Sequence, residues 1–293
     1  MQEVSHHKTV PTVQKALAER TKSLAGKLLA EARVYLSGPM DFVASRAEEK
    51  RNGWRTRVGE FLTKRFRTTV YDPWNKPEVM GMPHYGKEDE FSARRRENWT
   101  FEDTEEGARA RAQLSAQFWP TLHIDLRMVD TSDFLIAYTP TNVYSVGTAH
   151  EIALARQQYK PVLLVSPPVD GTVLEELRAH LGKKADTRAL ELLARLEAEA
   201  SLKPNPGAIP SLWYMALLDG SYFFDGFGFG PYLQEFGWER GPLDEREARN
   251  PPKRPLLPYL DALNESIPKR WDLEQDKYVE NADWLIFDQP DRP

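Results

Sequence analysis

From residue 33 onward, short apolar runs alternate with stretches in which apolar residues recur every three or four positions. This alternation predicts strands and crossover helices around a parallel sheet. A strand buried on both faces needs a continuous apolar run, whereas a covering helix needs only one apolar stripe. "RVYLSGPM" (33–40) predicts the first strand and its turn, and in "SRAEEKRNGWRTRVGEFLTKRF" (45–66) Trp54, Val58, Phe61, Leu62 and Phe66 share one helical face, with Ser45 as cap. "TTVYDPW" (68–74) is a second strand stopped by Pro73, and "FLIAY" (134–138) and "KPVLLVSPP" (160–168) are the third and fourth. A helix is expected over "WPTLHIDLRMVDTSD" (119–133) with Pro120 in its first turn, and another over "YSVGTAHEIALA" (144–155).

Between the second strand and the third helix, residues 75–118 form a long polar excursion. Connections of that length inside a compact domain are uncommon unless they act as lids or binding loops, so it is read as a closing segment or as a solvated insertion. Helical patterns resume at 171–181 and 185–200, and "KPNPGAIP" (203–210) has the composition of a linker. Beyond it, ten aromatics between Trp213 and Trp238 mark a loop-rich aromatic segment, suited to core, to an oligomer surface or to stacking on a flat base. Before residue 33, Val13, Leu17, Leu24 and Leu28 keep helical spacing. The expected organisation is a helical extension (1–32), an α/β domain (33–200, insertion about 75–118) and an aromatic-rich extension (201–293).

Composition narrows the function. A chain of 293 residues that is 41% hydrophobic can bury a sizeable core, and a formal net charge of −5 offers no broad basic surface for a nucleic-acid polymer. The absence of cysteine rules out disulfides and thiolate metal sites, and the six histidines show no ligand spacing, so no metal is expected. With neither a signal-peptide core nor a long apolar run, a cytoplasmic protein without a membrane partner is expected.

In a doubly wound sheet, ligands bind outside the carboxyl ends of the strands. Polar and turn residues gather there: Ser37, Gly38, Pro39 and Met40 after strand one, Asp72 after strand two, Thr139, Thr141 and Asn142 after strand three, and Ser166 after strand four. Asp125 and Glu151 are placed within about two turns of helix starts, near the same edge. Asp133, directly before strand three, belongs at the opposite edge as a structural cap. An acid early in a helix has an ordinary explanation, because the positive end of the helix dipole favours it, and a nucleophile would be placed the same way. Two carboxylates facing one pocket suit glycosyl transfer, one attacking the anomeric carbon and one handling the leaving group's proton.

The blocks "VYLSGPM", "DLRMVDTSDFLIAY", "SVGTAHEIALA" and "KPVLLV", in that order over residues 33–166, resemble the nucleoside 2-deoxyribosyltransferase family, including its relatives that hydrolyse nucleoside 5′-monophosphates. The resemblance implies a flavodoxin-like sheet of order 2-1-3-4-5, Glu151 as the nucleophile that forms a covalent glycosyl intermediate, Asp125 assisting base departure, and Tyr35 positioning the glutamate or the sugar. It also implies a nucleoside or nucleotide substrate, no cofactor, and a homo-oligomer. From the residues alone, Tyr35 could equally be core and Asp125 a helix-start charge.

Transferases of the family commonly carry an aspartate six residues before the nucleophile; here that position is Ser145. An aspartate would repel a phosphate dianion and a serine would not, so Ser145, with the turn amides around Gly147 and Thr148, favours monophosphate hydrolysis over base exchange. The turn amides of 37–40 and the Arg94, Arg95, Arg96 run are further candidate phosphate contacts. The alternatives are a base-exchanging transferase, a glycosidase for a larger nucleotide, and a non-catalytic nucleotide sensor; a flavin-binding relative fits less well, because it gives the acidic pair no role.

Overall fold

A computed structural model describes residues 28–40, 46–75, 103–141, 143, 145–169, 172–199, 205–218, 222–236, 247–281 and 284. The N-terminal helical pattern up to residue 27, Ser45, Asn142, Arg94 to Arg96 and Trp238 lie outside these residues.

Five parallel strands form the sheet: β1 (Arg33–Ser37), β2 (Thr69–Tyr71), β3 (Phe134–Tyr138), β4 (Val162–Val165) and β5 (Phe223–Phe224). Their order is 2-1-3-4-5, as the family resemblance implies, with β1 pairing β2 on one side and β3 on the other. β5 comes from the aromatic stretch, pairing Leu164 with Phe223 and Val165 with Phe224.

Because strand side chains alternate, each central strand feeds two cores. Val34, Leu36, Phe134, Ile136, Leu163 and Val165 pack on one face against Trp54, Val58, Phe61 and Leu62 and against Phe227, Leu256 and Trp284 from the C-terminal part. Tyr35, Leu135, Ala137 and Leu164 pack on the other face with Val129, Ile152 and Ala155. The aromatic stretch therefore shares a core with β1 and β3.

Helix α2 (Trp54–Phe66), separated at Gly53 from the short α1 (Arg46–Asn52), covers the first face. Arg67 ends α2 in the left-handed region (φ 61°), its amide reaching back to the carbonyls of Leu62 and Thr63. Helices α3 (Glu105–Thr131) and α4 (Val146–Gln157) cover the second face.

The helix expected to begin at Pro120 begins instead at Glu105, so Pro120 lies in its interior. Thr104 caps it, accepting from the amide of Gly107 at 3.1 Å, and Glu105 and Glu106 complement the dipole in the first turn. Residues 105–119 are rich in Ala, Arg, Glu and Gln, which favour helix without an apolar stripe. The ring of Pro120 removes one backbone donor, and Ala116, whose carbonyl loses that donor, is exposed and can be solvated. At 27 residues α3 is about 40 Å long. The five residues of β3 span about 17 Å. The N-terminal half of α3 thus runs past the sheet, and Phe118 and Trp119 on it are exposed.

The chain continues through α5 (Thr172–Lys183), α6 (Thr187–Glu199), α7 (Leu212–Leu217) and α8 (Leu256–Glu265) to an antiparallel hairpin, β6 (Lys269–Asp272) with β7 (Lys277–Glu280). Asn264 of α8 accepts from the amide of Leu29 at 3.1 Å, tying the C-terminal part to the entry of β1. Among the described residues no helix is long and apolar enough to cross a membrane.

Candidate active site

Alternation along β1 turns Tyr35 and Ser37 toward α4, and both are fully buried. Helix α4 starts at Ser145, whose side chain accepts from the amide of Thr148 at 3.3 Å and shares a hydrogen bond with the Thr148 hydroxyl at 2.7 Å. Thr148, Ile152 and Ala155 form the buried stripe of α4, and Glu151 follows Thr148 by three residues. That spacing places Glu151 on the inward face.

The Glu151 carboxylate is held at both oxygens. The Tyr35 hydroxyl donates to Oε1 at 2.7 Å, and Ser37 Oγ donates to Oε2 in a short hydrogen bond. Although the residue keeps some surface, its carboxylate is enclosed, and burial pushes the carboxyl up to about 7. The two hydroxyl donors oppose that shift, nearby Asp125 adds to it, and Arg55 opposes it. Burial, followed by the charges of Glu151 and Asp125, raises the Tyr35 phenol well above its usual value, so it stays a donor. A merely structural helix-start acid gains most by facing water near the dipole; Glu151 faces two hydroxyls and a second acid.

Asp125 reaches this cluster by a different route from the one expected. It lies in the last two turns of α3, far from the helix start, and comes close because α3 runs antiparallel to β3 and overshoots the sheet. Asp72 serves its own turn, its oxygens accepting from the Trp74 amide at 2.9 Å and from Asn75 Nδ2 at 2.7 Å. Met40 is half-buried at the end of the first turn. Thr139 and Ser166 carry enclosed hydroxyls at the ends of β3 and β4, without a hydrogen-bond partner among the described residues. Thr141 is exposed. Asp133 sits at the other edge as expected, accepting from the Arg33 amide at 2.7 Å. Among the described residues no three or more His, Asp or Glu side chains gather so as to hold a metal ion.

Sequence reading missed Arg55. It is 1% exposed, and its guanidinium donates to the carbonyls of Leu36 (3.1 Å), Gly38 (2.6 Å) and Pro39 (3.3 Å). The signal was present, since position 55 stands three residues before Val58 and seven before Leu62, on the apolar face of α2. A charge there must be buried and supplied with partners.

Gly38 is required by close packing. A Cβ there would meet Trp54 Cζ2 at 2.8 Å and Arg55 Nη2 at 3.1 Å, and Trp54 is itself stacked on Phe227 with ring centroids 5.5 Å apart. Gly38→Ala is expected to destabilise the fold by about 1–3 kcal/mol, read as a lower urea midpoint at unchanged slope. An unchanged midpoint would mean that the turn yields freely.

No family model matches the sequence, and no curated protein matches it. Among solved structures, the chain is similar to a 2-deoxyribosyltransferase from the psychrotolerant bacterium Bacillus psychrosaccharolyticus, described as a biocatalyst for nucleoside synthesis. The identity is 20% and the TM-score 0.26, over 46% of this chain and 73% of that one. It is also similar to a conserved protein from Enterococcus faecalis V583, at 17% identity and a TM-score of 0.33 over 66% of this chain and 90% of that one. Both overlaps are too loose to carry a functional argument, which rests on the site itself.

Proposed function

We propose that this chain cleaves or transfers at the N-glycosidic bond of a nucleoside or nucleoside 5′-monophosphate, through a covalent intermediate on Glu151. The observation that carries this reading is an enclosed carboxylate, held at both oxygens by Tyr35 and Ser37 beside a second acid, at the ligand-binding edge of the sheet. Each carboxylate oxygen keeps a lone pair beyond the one its donor occupies, so the grip orients the group without disarming it. Glu151 attacks the anomeric carbon as the bond to the base breaks, and Asp125 in its acid form gives a proton to the departing base. Water then releases the sugar, or a second base takes it, and in either case Asp125 recovers a proton from the incoming group.

Monophosphate hydrolysis is the favoured form. Ser145 and Thr148 share one hydrogen bond, which consumes one of their two hydroxyl hydrogens; Thr148 is buried, and Ser145 is the more accessible. When Thr148 donates to Ser145, the serine hydrogen is free for a phosphate oxygen, beside the first-turn amides of Val146 and Gly147. A β-methyl at Gly147 would meet nothing within 4 Å, so packing does not demand glycine there. Gly147→Ala is therefore expected to stabilise the free protein by about 0.5–1 kcal/mol through helix propensity. It is also expected to raise KM for a 5′-monophosphate about tenfold while leaving the nucleoside's nearly unchanged, because a substrate phosphate would crowd the new methyl. Equal effects on both substrates would remove the phosphate from this helix start.

The test of the reading itself is chromatography of bases released from ribo- and deoxyribonucleosides and their 5′-monophosphates, with and without an acceptor base. Release that requires the acceptor identifies a transferase, and release without it a hydrolase. Binding without release from any member of the panel would sink the enzymatic reading in favour of a nucleotide sensor.

A further inference from the structure

We infer that Arg55 is a positioning residue of this site: its guanidinium clamps the backbone on either side of Ser37 and holds a fixed positive charge near the Glu151 carboxylate. The kinetic part of this inference rests on the glycosyl-transfer reading above, and the titration part does not.

The clamp is a matter of connectivity. Nε, Nη2 and Nη1 donate to the carbonyls of Leu36, Gly38 and Pro39, which flank Ser37, and Ser37 Oγ donates to Glu151. With trans peptides throughout the described backbone, carbonyls of Leu36 and Pro39 that face the guanidinium turn the amides of Ser37 and Met40 away from it. The fork is itself restrained, its Cζ lying 4.8 Å from the ring centroid of Trp54 and 5.9 Å from that of Trp74. A guanidinium spreads several donors over a rigid plane, so it can hold three carbonyls that a lysine ammonium could not reach together.

The charge is the second part. Three neutral carbonyls are costly partners for a buried cation, and burial lowers the affinity of Arg55 for its proton, partly offset by Asp72, then Glu49, Tyr35 and Glu151. Packing alone would be served by an apolar residue at this position of α2. The titratable and charged groups facing Glu151 come from three elements: the neutral Tyr35 phenol on β1, Asp125 on α3 and Arg55 on α2. Of these, Arg55 alone favours the ionised glutamate by its charge, against the effect of Asp125.

Two substitutions separate clamp from charge. Titration of Glu151 is followed by carbon NMR of glutamate-labelled protein, with its signal assigned by loss in Glu151→Gln. Arg55→Gln removes the charge and is expected to raise the proton affinity of Glu151 roughly tenfold, moving the midpoint upward. Arg55→Lys keeps the charge and loses the fork; the midpoint should stay near that of the parent while kcat falls about tenfold or more at a KM within about threefold. An unmoved Glu151 midpoint in a cooperatively melting Arg55→Gln overturns the electrostatic role, and an undiminished kcat in Arg55→Lys overturns the clamp. If Arg55→Gln does not fold, Arg55→Lys decides: a retained midpoint with reduced kcat supports the inference, and parent-like kinetics defeats it. A parent that turns over no substrate, yet whose Glu151 midpoint moves with Arg55, defeats the glycosidic reading and leaves the positioning role standing.

Discussion

Glu151→Gln is expected to lower base release by about a thousandfold or more, while making the folded protein more stable in alkaline solution. The loss follows from the chemistry, since the amide cannot form the glycosyl ester and the residual hydroxyls and Asp125 supply no substitute nucleophile. The gain follows from linkage. Burial holds the folded carboxyl near 7, above its value in the unfolded chain. Below about pH 4.5 both states are protonated and Glu151 imposes no ionisation cost. Between there and 7 the unfolded chain ionises first, so stability falls as pH rises, by up to about 3 kcal/mol once the folded pKa is passed. Glutamine never ionises, so variant and parent should diverge across that window. Urea midpoints at pH 5 and pH 8 measure the difference. A variant that retains base release, or a gap that does not widen with pH, would return Glu151 to the status of a helix-start acid.

The second large effect is the pH dependence of turnover. Attack requires the ionised carboxylate, and in the free protein that form is half populated near pH 7. For an uncharged nucleoside, the acid limb of kcat/KM, which reports Glu151, should rise about tenfold per unit below 7, roughly fiftyfold between pH 5 and pH 7. A nucleoside is the right probe, because a monophosphate has its own ionisation near 6. An acid limb centred near 4 would show that the reacting carboxylate is solvated and unlike the enclosed group described above. In Arg55→Gln the limb should move further up, linking this profile to the NMR titration.

Much of this arrangement was legible in the residues. Apolar runs of four or five with β-branched residues predict β1, β3 and β4, and the polar residues that stop them mark the ligand-bearing edge. Tyr35 and Ser37, two apart on a strand, must share a face, and Glu151, three residues after Thr148 on α4, must share that helix's stripe. Bringing those three groups together required further that β1 and β3 be neighbours and that α4 pack over Tyr35. What escaped the pattern did so for identifiable reasons. The first half of α3 projects past the sheet, so it has no apolar stripe by which to be recognised, and Asp125 was assigned to the wrong end of its helix. β5 is two residues long, below any period, and exists because β4 offers Phe223 and Phe224 an edge on which to pair.

Apolar periodicity was enough to place β1, β3 and β4 and the edge at which chemistry-bearing groups collect, because periodicity and chain direction are local properties that survive without contacts, whereas the strand order was expected only from the family resemblance. Which charge each buried group feels was set by packing in three dimensions. The raised carboxyl of Glu151, the approach of Asp125 and the clamp of Arg55 on Leu36, Gly38 and Pro39 depend on desolvation and on distances between residues far apart in the chain. Those quantities come into being only when the elements pack.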